Sequence, residues 1–205
     1  MTEETHEIGP ERGRIGHWLF LAAIAFAVFI YTLLKPAGCH EDSSAVGSSL
    51  EQLRLEPLTG GGHTVGLKNL QGRVTVINFW GTWCPPCRME FPHVVALDRR
   101  FRKHKAFQLF AVSCEAHHDI ELAELAEETA TFLREQEFDL PTYADPETVT
   151  RIAVGQVLGE TSFGYPTTLV LDQSGVIRGV WVGYEPGEER KVEALVEQLL
   201  ADSEA

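Results

Sequence analysis

Trp80-Gly81-Thr82-Trp83-Cys84-Pro85-Pro86-Cys87 puts two cysteines three positions apart, where an apolar segment gives way to a helix. The preceding run, Val74-Thr75-Val76-Ile77-Asn78-Phe79-Trp80, is β-branched and aromatic, and predicts a buried strand. Pro85 and Pro86 suit the first turn of a helix, where the N–H groups that proline lacks would have no partner anyway. Cys84 then stands at the N-cap. A thiolate there faces the positive end of the helix dipole and the remaining free N–H groups, which bring a cysteine pKa from about 8.5 into a range of roughly 3.5–7.5. Cys84 is the expected nucleophile. Cys87, one turn on and on the same face, is placed to attack a mixed disulfide formed at Cys84 and to release the partner reduced.

Other uses of the Cys-x-x-Cys pattern compete with this one. Half of a tetrathiolate zinc site needs a second pair, whereas Cys39 and Cys114 stand alone. A purely structural disulfide would close a very short loop, at about the low end of the 2–4 kcal/mol that such links contribute. Cys114, with His117 and His118 close behind, leaves open a copper site that joins Cys84 and Cys87. A thiol peroxidase and a tethered binding module without turnover are further alternatives, although Thr82-Trp83-Cys84 lacks the Thr-x-x-Cys spacing of a peroxidatic cysteine.

The 205 residues, 44% of them apolar, suffice for one domain and an appendage. Residues 18–34 read Trp-Leu-Phe-Leu-Ala-Ala-Ile-Ala-Phe-Ala-Val-Phe-Ile-Tyr-Thr-Leu-Leu, uncharged throughout and with aromatics near both ends, which predicts a transmembrane helix or signal anchor. Arg12 and Arg14 precede it, while Lys35 is soon followed by Glu41 and Asp42. The positive-inside bias then leaves residues 1–17 as a short cytoplasmic N-terminus, 35–49 as a polar spacer and 50–205 as a domain outside the cell membrane, on the periplasmic side. Ala37-Gly38-Cys39 keeps lipoprotein-type processing at Cys39 open, and simple secretion is a third route; all three export the domain. A net charge of −13 with no basic cluster argues against nucleic acid as a partner. No nucleotide or phosphate loop is present, so no cofactor is expected, and no metal is assigned.

Within the domain, residues 50–58 and 64–72 alternate around Gly60-Gly61-Gly62 and predict a short strand pair ahead of the main sheet. Strands are expected at 74–80 and 107–113 with the cysteine helix between them, then a helix at about 119–135, a short segment at 140–143 and a helix near 146–154. Residues 167–172 and 176–182 flank Gln173-Ser174-Gly175 as a hairpin, and Val192, Leu195, Val196, Leu199 and Leu200 mark a closing helix.

This order resembles the thioredoxin fold, an α/β architecture with a central mixed sheet flanked by helices, from about residue 50 to 200. Phe79-Trp80-Gly81-Thr82-Trp83-Cys84, Glu90-Phe91-Pro92 and Gly164-Tyr165-Pro166-Thr167-Thr168, with the N-terminal anchor, resemble the membrane-anchored TlpA/ResA family of extracytoplasmic thiol-disulfide oxidoreductases. The resemblance implies a cis Tyr165–Pro166 bond facing the dithiol, with Trp83, Pro85, Pro86, Tyr165 and Pro166 meeting the substrate. It implies that Glu90 exchanges a proton with Cys87, partial burial having raised its pKa, while Asn78 takes the place of the buried Asp of cytoplasmic thioredoxins. Trp80 and Trp83 are expected to form an apolar rim around the sulfurs. The partners implied are disulfides of exported proteins, such as apocytochrome c, and a transmembrane electron donor of thiol type.

Overall fold

The computed structural model describes residues 43–117 and 120–202. The chain divides into two units, Met1–Cys39 and His40–Ala205. The expected cytoplasmic segment, the apolar run at 18–34, Cys39 and His118 lie outside the described residues. Among the described residues no helix is long and apolar enough to cross a membrane.

Seven strands form one mixed sheet in the order β2-β1-β5-β4-β3-β6-β7. They are β1 (Arg54–Thr59), β2 (Val65–Gly66), β3 (Val74–Trp80), β4 (Phe107–Ser113), β5 (Thr142–Ala144), β6 (Thr167–Leu171) and β7 (Ile177–Val182). The helices are α1 (Pro85–Phe101), α2 (Leu122–Glu135), α3 (Val149–Leu158) and α4 (Glu188–Asp202). β3 is buried at all seven positions and pairs parallel with β4 on one side and antiparallel with β6 on the other. A strand covered on both faces reads as a continuous apolar run instead of an alternating one, which is the pattern of 74–80. The two faces of the sheet carry separate cores. One gathers Trp80, Phe91, Val95, Phe132 and Val196, the other Leu55, Ile77, Phe79, Leu169 and Ile177.

Three expectations need correction. The strand pair near the start of the domain joins the main sheet, because β1 also pairs antiparallel with β5. Its second member is only two residues long and turns into a 3-10 helix at Leu67–Leu70, where the Asn69 Oδ1 accepts from the Gly66 N–H at 2.9 Å and Leu70 is buried. The spacer expected to reach residue 49 ends earlier, since Ala45 is buried in the second core, the Gly47 N–H donates to the Ile177 carbonyl at 2.9 Å, and Ser49 bridges to Val176. Those contacts satisfy the backbone of an edge strand that would otherwise be open.

Candidate active site

The end of β3 delivers the chain to α1, and Cys84 is the N-cap of that helix in extended conformation. Pro85 and Pro86 fill the first two helical positions, so the first N–H free to meet the cysteine sulfur is that of Cys87, which donates to the Cys84 Sγ at 3.3 Å. Cys84 and Cys87 are joined by a disulfide, with their Cα atoms 5.3 Å apart. Cys87 is fully buried and Cys84 is 3% exposed. The exposed feature beside them is Trp83, at 43%.

Glu90 follows Cys87 by three residues on the same helix face. It is 8% exposed, and its carboxylate accepts hydrogen bonds from the Asn78 Nδ2 at 2.8 Å and from the Thr168 Oγ1 at 3.0 Å. The Asn78 Nδ2 also donates to the Thr168 Oγ1 at 2.8 Å. Burial pushes the Glu90 carboxyl up to about 7, and the two hydrogen bonds, which favour the charged form, offset only part of that. A carboxyl that changes charge near neutrality, one helical turn from a thiol that must lose its proton, has the chemistry of a general base. Glu90 and Thr168 also line a cavity of about 200 Å³ shared with Val76, His93 and Val192.

The third component is the turn ahead of β6. The Tyr165–Pro166 peptide is cis, as the resemblance implied, and Pro166 is buried. Tyr165 meets Trp83 edge to face with ring centroids 5.6 Å apart, and the Trp83 Nε1 donates to the Cys114 carbonyl at 2.9 Å. The indole lies over Gly81, where a Cβ would come within 2.4 Å of Nε1, so glycine is required there for close approach and not for its dihedral angles. Trp83 and Tyr165 thus form one surface beside the dithiol.

Trp80 does not belong to that rim. It is fully buried and packs on Phe91 at 3.8 Å and on Phe132 at 5.4 Å between ring centroids. Period-two alternation along β3 sends it into the core on the face opposite Phe79. Cys114 is also buried, its Sγ 3.6 Å from the Val112 carbonyl, and burial pushes its thiol up to about 12. Among the described residues no three of His, Cys, Asp and Glu are gathered to hold a metal ion, so the copper site that joins Cys114 to the dithiol finds no support there.

The sequence matches the AhpC/TSA family over residues 46–180. The chain belongs to that family. It is 28% identical over 160 residues to the thiol-disulfide oxidoreductase ResA of Bacillus cereus, an alignment covering 78% of this chain and 82% of the relative. A crystal structure described as a putative thiol:disulfide interchange protein DsbE from Chlorobium tepidum superposes with a TM-score of 0.59 at 24% identity, covering 76% of this chain and 97% of that one. The solution structure of a putative thioredoxin from Neisseria meningitidis gives 0.56 at 26% identity, over 75% and 91% of the two chains. Fold, dithiol and relatives agree: the protein is a thioredoxin-like protein disulfide oxidoreductase.

Proposed function

We propose that the protein is a reductant of disulfides in exported proteins, apocytochrome c among them, held at the outer face of the cell membrane by residues 18–34. The observation that carries the direction of electron flow is the donor-poor mouth of α1. Pro85 and Pro86 have no N–H, which leaves the Cys87 N–H at 3.3 Å as the near donor to the Cys84 sulfur. A less stabilised thiolate makes the reduced pair easier to oxidise, toward the about −270 mV of a thioredoxin and away from the about −120 mV of a strong oxidant. The uncharged run at 18–34 and the flanking arginines support the location.

In the reducing step the Cys84 thiolate attacks one sulfur of the substrate disulfide, that bond breaks, and its other sulfur leaves as a thiolate that takes up a proton. Glu90 then removes the Cys87 proton, Cys87 attacks the Cys84 sulfur, and the substrate departs with two electrons while the Cys84–Cys87 bond closes. A dithiol electron donor in the membrane returns the protein to its reduced form by the reverse exchange.

Cys87→Ser tests the reading in cells. The variant lacks the thiol that resolves the intermediate, so Cys84 should stay covalently joined to exported, disulfide-bearing proteins recoverable under non-reducing conditions. Adducts confined to cytosolic proteins, or a measured potential near about −120 mV, would overturn it.

A further inference from the structure

Behind the Trp83–Tyr165 surface lies a largely enclosed ionic cluster, with Asp145 buried and Arg151 and Glu115 partly so, that the dithiol chemistry does not use. Arg151, in the first turn of α3, reaches the Glu115 Oε1 with its Nη2 at 2.8 Å and the Asp145 carbonyl with the same nitrogen at 2.9 Å. The Asp145 carboxylate takes the Arg151 N–H at 2.7 Å and the Thr150 N–H at 3.2 Å, and so caps the helix that carries the arginine. Its Oδ2 is also 3.6 Å from the Arg151 Nε. Arg151 is therefore held by its own backbone and by two carboxylates from two loops, a poor place for a side chain that only has to be solvated. Tyr165 and Cys114 are its electrostatic neighbours.

The cluster reaches the redox surface through Glu115 and the Cys114 carbonyl beside it. Tyr165 is the residue before Pro166 and supports the Trp83 ring at 5.6 Å. The Cys114-Glu115 segment holds Arg151 through the Glu115 carboxylate and Trp83 through the Cys114 carbonyl, to which the indole donates at 2.9 Å. A planar guanidinium with donors in a fixed fork suits such a bridge, because it can satisfy several acceptors without letting any of them rotate.

Resting on the reading of the protein as a protein-disulfide oxidoreductase, we infer that Arg151 is a positioning residue for macromolecular substrates. Through Glu115 it keeps Trp83, and the Tyr165 ring that Trp83 meets, in the arrangement that receives a polypeptide beside Cys84. It touches neither sulfur nor substrate. A small disulfide needs only the sulfur, whereas a protein disulfide must also settle on the surface, so the two substrates should respond differently.

The experiment compares the full-length chain, reduced beforehand, with its Arg151→Met, Arg151→Lys and Glu115→Gln variants, using insulin as the protein disulfide and hydroxyethyl disulfide as the small one. Loss of a charged hydrogen-bonding group that orients a binding surface should lower the insulin rate relative to the hydroxyethyl disulfide rate about three- to tenfold in Arg151→Met, chiefly through KM. Arg151→Lys should recover part of that ratio. Equal loss toward both substrates means a structural role, and an unchanged ratio means none; either overturns the inference. Should Arg151→Met fail to fold, Glu115→Gln removes the charge that Arg151 meets at 2.8 Å and must lower the same ratio for the inference to stand. A wild-type chain that reduces neither compound would overturn the oxidoreductase reading itself.

Discussion

Replacing Glu90 with Gln isolates the most consequential electrostatic feature of the site. In the folded, disulfide-bonded protein the Glu90 carboxyl titrates at about 7, against 4.5 for an ordinary glutamate. The raised value means that the protonated form is the better accommodated one, so the stabilisation tied to that proton is complete below about pH 4.5 and is lost as pH climbs through about 7. The rise from 4.5 to about 7 corresponds to about 3 kcal/mol. Glutamine has the same shape and cannot ionise. Its carbonyl can accept from Asn78, and its amide can donate to Thr168 once that hydroxyl turns. The stability of Glu90→Gln relative to wild type should therefore rise by about 3 kcal/mol between pH 4.5 and 8, read from urea denaturation of the oxidised forms at a series of pH values. The other titrating groups cancel in this difference. The rate of disulfide reduction should at the same time lose its rising limb near neutrality, because Cys87 has no base to which it can pass its proton. Stability curves that run parallel across that range would refute the burial argument, and an unchanged pH profile of the rate would remove Glu90 from the mechanism.

Asn78→Asp places a second carboxyl where the Asn78 Nδ2 now donates to Glu90 at 2.8 Å. Two carboxylates at that separation cannot both ionise, so the pair should hold one proton and the rate limb should move above pH 7, visible in the same kinetic profile. Cys114, fully enclosed and with its thiol pushed up to about 12, should resist iodoacetamide at pH 8 in the native protein and react on unfolding, as counted by mass spectrometry.

Much of the fold was legible because it depends on local composition. The spans of β3 and β4 follow from β-branched and aromatic runs, and the start of α1 follows from the prolines after Cys84. The helices α2 and α3 begin later than their amphipathic patterns suggest, at Leu122 and Val149, because their first turns depend on capping and tertiary contacts that hydrophobic spacing does not encode. The brevity of β2 was hidden for the same reason, since Leu67 continues the alternation in sequence while Asn69 closes a turn onto Gly66.

The chemical identity of the centre is a property of sequence alone. Two sulfurs three residues apart at a helix start, followed by a glutamate three further on, share one helix face whatever the rest of the chain does, because α-helical geometry repeats at that interval. What tunes and surrounds that centre is a property of the tertiary structure. Thr168 reaches Glu90 because β6 lies antiparallel to β3 with Thr168 opposite Asn78, a register set by residues 90 positions apart. Burial of that trio raises the carboxyl pKa, and burial is a matter of what packs above it, not of its neighbours in the chain. Trp80 and Trp83 are alike in sequence and opposite in fate, one sealed in the core and the other on the surface, because one ends a strand with an inward side chain and the other sits in the turn beyond it. Arg151, Glu115 and Asp145 come from a helix and two loops, and nothing in their spacing announces that a single guanidinium joins them.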